Sequence, residues 1–341
     1  MPNPVTGNLK GLRDMCKWYV LANDNLTFAR ALLAGAPGMR PNPLVSIYIP
    51  THNRIERLER ALRSVLNQTY ENYEILICDD GSTDRTSAWV SELAEDNPKI
   101  RYFRNSVPRG ACSARNLGIF AARGEFITGL DDDDEFLPER LERLLHAWDD
   151  KYAFVCSNFW SKRPGQEPQL YYPPEDCLLT LQQLLIKNVA SNQVLTQTSR
   201  LQSIGGFKED VRRLQDWDTW LRLCSRYGGY FYRQRTPLYI LHHDHEIGAL
   251  RVSRSIPLDV ALEELHERNK DIYDEKSSYI LTSYARLVRQ EFSLKDMWKN
   301  TLYKKDTTPL RAYVRQHMNK CQNRVRPILH QTLKNLGLKV D

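Results

Sequence analysis

The stretch Val45–Asp84 decides the fold, and it reads VSIYIPTHNRIERLERALRSVLNQTYENYEILICDDGSTD. Two short apolar runs, VSIYI at 45–49 and YEILICD at 73–79, have the β-branched character of buried strands. Between them, apolar residues recur at helical spacing from Arg54 to Asn67. A strand, a helix and a second strand in this order predict two parallel strands joined by a crossover helix.

The same alternation continues along the chain. Further strands are predicted at 100–104 and 125–131, and further helices at 83–94, 111–122 and 138–148. Strands that alternate with helices form a mostly parallel sheet covered on both faces, so the predicted fold class is α/β. Such sheets bind ligands beyond the carboxyl ends of their strands. Three polar clusters follow predicted strand ends, at 51–53, 79–82 and 131–134.

The pattern becomes less regular after Tyr152. A strand at 153–159, a helix at 178–186, a strand-like segment at 192–198 and a helix at 216–227 are predicted, with mostly helix beyond Ser255. The chain therefore divides into a helical N-terminal extension (1–43), a main domain (44–255) and a basic, helical C-terminal extension (256–341).

The composition favours a folded protein in a reducing compartment. Hydrophobic residues make up 41% of the 341 residues, which is enough to form a core. The seven Cys are scattered singly, which argues against a disulfide framework or a zinc site and favours the cytoplasm. No signal-peptide pattern and no apolar run of membrane-spanning length is present, so a soluble or peripheral protein is expected.

The net charge of +6 is concentrated in the tail, since residues 296–341 contain ten Lys or Arg and three Asp or Glu. The rest of the chain is close to neutral, so nucleic acid is not expected as a partner. Apolar residues alternate with these basic ones from Trp298 to Val340. This pattern suits docking on the inner membrane surface, but packing on the main domain or on a second subunit of a homo-oligomer explains it slightly better.

Four adjacent carboxylates, Asp131 to Asp134, follow a predicted strand. They repel one another, and a divalent cation such as Mg²⁺ or Mn²⁺ would remove that conflict, because it prefers oxygen ligands and is commonly shared with substrate phosphates. A solvated acidic turn is the alternative. The position beside two other polar strand ends favours the metal site.

Two further segments suit a nucleotide. Asp79 and Asp80 lie directly at a strand end, where a carboxylate can accept hydrogen bonds from a base or a ribose, while Gly81 and the residues after it also read as an ordinary turn and helix cap. Arg115, in a segment rich in small residues, has the planar fork of donors that suits phosphates. A plain surface arginine is the alternative there.

Two segments nearer the C-terminus carry chemistry. Asp216 precedes an amphipathic helix and suits either a helix cap or a general base that removes the proton of an attacking hydroxyl. His243 and His245 lie two residues apart on an extended segment, so both rings face one side and suit a metal or a diphosphate. Structural histidines explain this pair equally well.

Together these segments resemble the family 2 glycosyltransferases, an inverting group with the nucleotide-binding fold called GT-A. The resemblance covers residues 44 to about 255 and rests on the order of several motifs. They are VSIYIPTHNR (45–54), SVLNQTYENYEILICDDGSTD (64–84), ARNLGIFAARGEFITGLDDDDEFLP (114–138), SIGGFKED (203–210) and LQDWDTWLRL (214–223).

The resemblance implies a role for each matching residue. Thr51, Asp79 and Asp80 would line a uridine pocket, and Arg115 would lie beside the base or diphosphate. Asp131 to Asp133 match the family's DxD motif, in which Asp133 would hold Mn²⁺ or Mg²⁺ and Asp131 and Asp132 would face the donor. Asp216 matches the catalytic base, and His243 and His245 loosely match a downstream metal-binding element. Gln215 departs from the family, which more often has Glu at that position.

These roles imply transfer of a sugar from a UDP-sugar to a hydroxyl of a glycan or lipid-linked glycan, in lipopolysaccharide, capsule or other surface-glycan synthesis. The processive QxxRW signature is missing. Two alternatives stay open: a nucleotidyltransferase, which would need a Gly-rich basic loop where Pro50 to Arg54 stand, and a non-catalytic subunit that retains the fold.

Overall fold

The computed structural model of the protein describes residues 42–243, 256–304 and 308–317. The predicted N-terminal extension 1–43 therefore lies outside the described residues, apart from its last two positions, and so do His245 and the tail beyond residue 317. Strands of the described part form two sheets of five strands each.

The first sheet has the strand order β3-β2-β1-β4-β9. Its strands are β1 (Val45–Thr51), β2 (Tyr73–Asp79), β3 (Ile100–Arg104), β4 (Phe126–Gly129) and β9 (Thr196–Gln197). The first four are parallel to their neighbours, and β9 is antiparallel to β4. Every residue of β1 and β2 is buried, because both strands are central and both faces of the sheet are covered. The predicted α/β fold with a mostly parallel sheet is confirmed.

The helices predicted at 54–67, 83–94, 111–122, 138–148 and 216–227 are present, each within three residues of its predicted ends, and the described residues contain others. In chain order, the helices are α1 (Ile55–Leu66), α2 (Thr86–Asp96), α3 (Ala111–Ala121), α4 (Arg140–His146), α5 (Leu181–Ile186), α6 (Thr198–Ser203), α7 (Gln215–Arg226), α8 (Leu258–Arg268), α9 (Glu275–Val288) and α10 (Leu294–Lys304). A 3₁₀ turn at Lys270–Ile272 joins α8 to α9, and residues 308–317 are also helical. Among the described residues, no helix is both long enough and apolar enough to cross a bilayer.

The second sheet was not predicted as a whole, although the strand predicted at 153–159 overlaps one of its strands. It contains β5 (Glu135–Phe136), β6 (Val155–Lys162), β7 (Gln169–Leu170), β8 (Cys177–Thr180) and β10 (Tyr230–His242). The long strand β10 pairs in parallel with β6 and antiparallel with β5 and β8. Because β5 follows the acidic run directly, this sheet is joined to the carboxyl end of β4.

The predicted helix at 178–186 begins three residues late. Residues Cys177–Thr180 pair with β10 as a strand, and the helix starts only at Leu181. Thr180 explains the boundary, because its hydroxyl accepts a hydrogen bond from the Gln183 amide while the Gln183 side chain accepts one from the Thr180 amide.

The C-terminal helices share the core of the sheets. Leu262 and Leu265 of α8 and Leu281 and Ala285 of α9 belong to the same buried cluster as Tyr48 of β1. Polar contacts reinforce this packing around the buried Asp218 of α7. Its carboxylate lies 2.9 Å from Arg222, 3.2 Å from Arg268 of α8 and 2.9 Å from the Asn269 amide.

We expect Asp218→Ala to lower the free energy of unfolding by about 3–5 kcal/mol, because the substitution leaves two guanidinium groups without their buried counter-charge. Although burial raises it, the charges of Arg222 and Arg268 and the Asn269 hydrogen bond lower the pKa of Asp218 below its usual value. Urea titration measures the loss. Asp149→Ala is the matched control, since Asp149 pairs only with the exposed Lys151. Equal stability of the two variants would contradict the role of this cluster.

Candidate active site at the carboxyl ends of the parallel strands

The four carboxylates of the acidic run are not equivalent. Asp132 and Asp134 point into the protein and are 4% and 2% exposed. Asp132 accepts hydrogen bonds from Thr51 at 2.9 Å and from Arg54 at 3.2 Å. Asp134 accepts from the Tyr239 hydroxyl at 2.7 Å and from the backbone amide of His242 at 2.8 Å. These two side chains therefore fasten the loop to β1 and β10.

Asp131 and Asp133 point outward, with side chains 20% and 15% exposed. Asp133 lies 3.6 Å from the Arg54 guanidinium. Burial and the charge of Asp133 raise the pKa of Asp132 to about 6, which shows how closely the negative charges are packed. Within the described ranges, no group of three or more His, Cys, Asp or Glu side chains is placed to hold a metal ion. The donors present suit a Mg²⁺ or Mn²⁺ ion held by one or two carboxylates, whose other ligands come from substrate phosphates and water.

Arg115 links three elements at this site. Its guanidinium, on α3, donates to Asp131 at 2.9 Å and to the Gln215 side chain at the start of α7 at 2.8 Å. The group also lies 5.0 Å over the Phe207 ring. Although burial lowers it, the charges of Asp131 and Asp216 raise the pKa of Arg115 above its usual range, so this side chain is a permanent cation.

Asp216 follows Gln215 in the first turn of α7. Burial raises the pKa of Asp216 to about 7, while the charge of Arg115 lowers it and the charge of Asp131 raises it. The residue before the helix, Leu214, has a left-handed backbone with φ of 63°. A non-glycine residue in that conformation costs about 1 kcal/mol or more and sets the direction in which α7 begins. The N-cap position is thus held by an apolar residue, and Asp216 lies inside the first turn, so Asp216 is not the N-cap that one reading of the sequence suggests.

The two carboxylates at the end of β2 accept hydrogen bonds from neighbouring segments of the chain. Asp79 is fully buried and accepts from the Ser82 amide at 2.8 Å and from the Tyr102 hydroxyl at 2.6 Å. Asp80 accepts from the backbone amides of Arg109 at 2.8 Å and Gly110 at 2.6 Å. Their predicted contacts with a nucleoside stay predictions. What the geometry adds is that Asp80 fixes the segment leading into α3.

The histidines occupy separate environments. His242 lies 2.6 Å from Glu135 through its Nε2 atom, and the Nε2 atom of His243 lies 3.0 Å from the Ser161 hydroxyl. His245 lies outside the described residues. A metal role for His243 and His245 stays a prediction.

Sequence reasoning missed a buried polar layer beneath Asp131. The Gln193 side chain accepts from the Tyr48 hydroxyl at 3.0 Å and donates to Asp131 at 3.3 Å. A Cβ atom on Gly129 would lie 2.3 Å from Gln193 and 2.4 Å from the Tyr48 ring, so only glycine fits there. The one signal in the sequence was a glycine inside a predicted strand, which often marks close approach of another group.

Arg54 was also missed as a functional residue. Its guanidinium contacts Asp132 and Asp133, and its side chain is 38% exposed. The sequence did contain one indication of its role, since Arg54 is a basic residue directly after a polar strand end. With Asp133, it borders the open side of the acidic loop.

The family model "Glycosyl transferase family 2" matches residues 46–203. The chain is 34% identical over 247 residues to the "Putative colanic acid biosynthesis glycosyl transferase WcaA" of Escherichia coli (strain K12), covering 70% of this chain and 86% of the relative. It is 39% identical over 124 residues to the "GalNAc(5)-diNAcBac-PP-undecaprenol beta-1,3-glucosyltransferase" of Campylobacter jejuni, covering 36% of this chain and 40% of the relative.

A crystal structure of residues 1–349 of S. aureus TarS in complex with UDP-GlcNAc has a similar fold, with a TM-score of 0.57 and 15% identity. The match covers 82% of this chain and 80% of that chain. The predicted GT-A architecture is confirmed.

We expect Gly81→Ala to weaken UDP binding, while Gly165→Ala does not. Both glycines have φ near +70°, so alanine strains the backbone equally. At Gly81, however, the new Cβ would lie 3.0 Å from the backbone of Val107 and Pro108, in the segment that Asp80 holds, whereas nothing lies within 4 Å at Gly165. Titration calorimetry with UDP measures the difference. Unchanged binding by Gly81→Ala would show that this segment does not shape a site for UDP.

Proposed function

The chain belongs to glycosyl transferase family 2, and on that premise we propose that it moves a sugar from a UDP-sugar to a hydroxyl of a glycan acceptor with inversion. One observation carries the proposal. A partly exposed carboxylate, Asp216, has its pKa raised to about 7 and lies within electrostatic range of the Arg115–Asp131 pair. A base poised near neutral pH beside a fixed cation and an acidic loop is what a transfer from a diphosphate requires.

The donor half of the site uses the strand-end loops. We propose that Thr51, Asp79 and Asp80 shape the pocket of a uridine nucleotide, and that Arg115 and Arg54 meet the negative charge of its diphosphate. The structure of S. aureus TarS with UDP-GlcNAc supports this choice of nucleotide, since that protein shares the fold. Asp131 lies at the same edge of the sheet, where the donor sugar would follow the diphosphate, whereas Asp132 points into the protein and would position the loop.

The outward position of Asp133 supports a divalent cation as cofactor, Mn²⁺ or Mg²⁺. Its carboxylate, with that of Asp131, suits an ion completed by the diphosphate of the donor. Such an ion would offset the negative charge that grows on the diphosphate as it departs. Arg54 lies 3.2 Å from Asp132 and 3.6 Å from Asp133, so it neutralises part of the loop on its own.

Asp216 would act on the acceptor. Its carboxylate takes the proton of the acceptor hydroxyl, whose oxygen forms a bond to the anomeric carbon. The bond from that carbon to the diphosphate oxygen breaks, and UDP leaves with the electron pair. One displacement in line inverts the anomeric centre, so an α-linked donor gives a β-linked product. Burial raises the pKa of Asp216 to about 7, and the positive charge of Arg115 partly offsets this by favouring the ionised form.

The relatives support a surface glycan as acceptor. One is named for colanic acid biosynthesis, and another for glucosyl transfer to a glycan carried on undecaprenol diphosphate. We therefore propose that this chain extends a lipopolysaccharide, capsule or related glycan, with a lipid-linked acceptor, at the cytoplasmic face of the membrane. A donor screen with UDP-, GDP- and dTDP-sugars against such acceptors tests the assignment. Transfer from GDP- or dTDP-sugars alone would exclude a UDP-sugar as the donor.

Asp216→Asn is expected to lower kcat by at least ~10²-fold while UDP binding changes little, because the amide keeps the shape but cannot accept the proton. In the wild type, kcat should rise as pH increases through about 7, since the carboxylate must be ionised to act. The variant should lack this rise. Steady-state kinetics between acid and mildly alkaline pH measure both effects.

A stability measurement tests whether Asp216 acts as a catalytic base or only stabilises the start of α7. Because burial raises the pKa of Asp216, its protonated form is favoured in the folded state, and the stability that this proton brings is lost as pH rises through about 7. Asp216→Asn should therefore be at least as stable as the wild type above that pH. Lower stability with unchanged turnover per folded molecule would instead assign Asp216 to stabilising the first turn of α7.

Asp133→Ala is expected to weaken UDP-sugar binding in Mn²⁺ by at least ~10-fold, because it removes one of the two outward-pointing carboxylates of the acidic loop, the one proposed to hold the ion. EDTA should weaken wild-type binding to a similar degree and should have little further effect on the variant. Titration calorimetry measures these affinities. Asp149→Ala is the control for removal of an aspartate outside the site. Full transfer activity of the wild type in EDTA would exclude the metal.

A further inference from the structure

Large hydrophobic side chains are unusually exposed near the end of the described chain. Twelve are exposed in the described residues, and half of these lie between 288 and 317. They are Val288 (44%), Leu294 (55%), Trp298 (64%), Leu302 (71%), Leu310 (45%) and Val314 (45%). Leu294, Trp298 and Leu302 are spaced four residues apart on α10, so they form one stripe along the helix. None of the three residues of this apolar stripe belongs to the candidate active site.

The stripe faces away from the core because the opposite side of α10 forms buried polar contacts with α9. Asp296 accepts from Arg286 of α9 and from the Tyr279 hydroxyl, and Asn300 donates to Ser283 at 2.9 Å. The pKa of Asp296 is held well below its usual range by these partners, although burial raises it. The position of α10 is thus set by buried polar contacts, and the exposure of Trp298 and Leu302 follows from it.

The helical residues 308–317 are fixed in a similar way. The Gln316 side chain is 6% exposed and forms two hydrogen bonds with the backbone of Phe292, at 3.1 Å and 3.0 Å. Leu310 and Val314 lie four residues apart on this segment and are both exposed. Both α10 and the helical residues 308–317 are therefore held in place by buried polar contacts, and both expose apolar side chains.

Basic residues accompany these side chains. Between 288 and 317 the sequence has seven Lys or Arg and three Asp or Glu, and one of the acidic residues, Asp296, is buried against Arg286. Lys295, Arg311 and Arg315 are exposed. A surface that combines exposed Trp and Leu with Lys and Arg matches the boundary between headgroups and acyl chains of an anionic bilayer. A second copy of this chain would bring a surface of the same positive sign against it, which charge complementarity disfavours.

We infer that α10 and the helical residues 308–317 form a docking surface for an anionic lipid bilayer, with the stripe Leu294, Trp298 and Leu302 entering the headgroup layer. Each basic residue adds attraction to anionic lipid, and each buried apolar side chain adds affinity that does not depend on lipid charge. Such a surface would hold the enzyme beside a lipid-linked acceptor, and this benefit alone rests on the proposed function.

Flotation of the full-length chain with vesicles tests the inference. Vesicles of phosphatidylcholine and phosphatidylglycerol in equal parts should carry the wild type upward at low salt, and pure phosphatidylcholine should carry less. The variant Leu294→Ser, Trp298→Ser, Leu302→Ser should bind at least ~10-fold more weakly to the anionic vesicles. Arg311→Gln with Arg315→Gln should bind about tenfold more weakly to anionic vesicles, with little change on neutral ones.

Phe120→Ser with Leu178→Ser is the matched control, because these side chains are 56% and 55% exposed but lie outside the docking surface. Its flotation should equal that of the wild type, and thermal unfolding of every variant verifies that the fold is intact. Flotation uses no donor or acceptor, so its result stands whatever the activity is. Failure of the wild type to float, or equal flotation of the stripe variant, would overturn the inference. A wild-type dimer that the stripe variant loses would assign the surface to a second copy.

Discussion

The ion pair between Arg115 and Asp131 is the constraint on which the rest of the site depends. A buried guanidinium needs a matching charge, and here the two terminal nitrogens of Arg115 find partners at the end of β4 and the start of α7, while its buried Nε has none. Helix α3, strand β4 and helix α7 are thereby held at one point. The direction of Asp131 and the electrostatic surroundings of Asp216 both follow from the position of this one cation.

The four carboxylates of the acidic run point in two directions, two into the protein and two outward. Asp132 accepts a hydrogen bond from Thr51, and Asp134 accepts hydrogen bonds from Tyr239 and from the backbone of His242. This leaves Asp131 and Asp133 toward the open side. Carboxylates that look equal in the sequence therefore differ in their surroundings, since the run forms a turn closed by a hydrogen bond of 3.0 Å from the Asp134 amide to the Asp131 carbonyl. The buried pair fixes the position of the loop, and the outward pair is the one that we propose to face the donor and the ion.

The sequence predicted β2 with its observed bounds, because a central parallel strand is a continuous apolar run and Asp79 ends it sharply. It did not predict β10, whose Arg233, Gln234 and Pro237 break the apolar pattern while the strand changes register at bulges. The site was predictable where charge stands at a strand end. The buried Gln193 was not, because an amide inside the fold gains its meaning from partners far away in the sequence, here Tyr48 and Asp131.

The shared core has a consequence for how the chain comes to be folded in a cell. Tyr48 and Leu76 belong to one buried cluster with Leu281 and Ala285, so the core cannot close until the chain has been synthesised past α9. At ordinary translation rates the interval between the first and last of these residues is on the order of ten to fifty seconds. Throughout that time the nascent sheet presents apolar surface without its cover. The late helices are therefore the last part of this core to be synthesised, and a chain that ended before them would leave uncovered the apolar side chains that they bury.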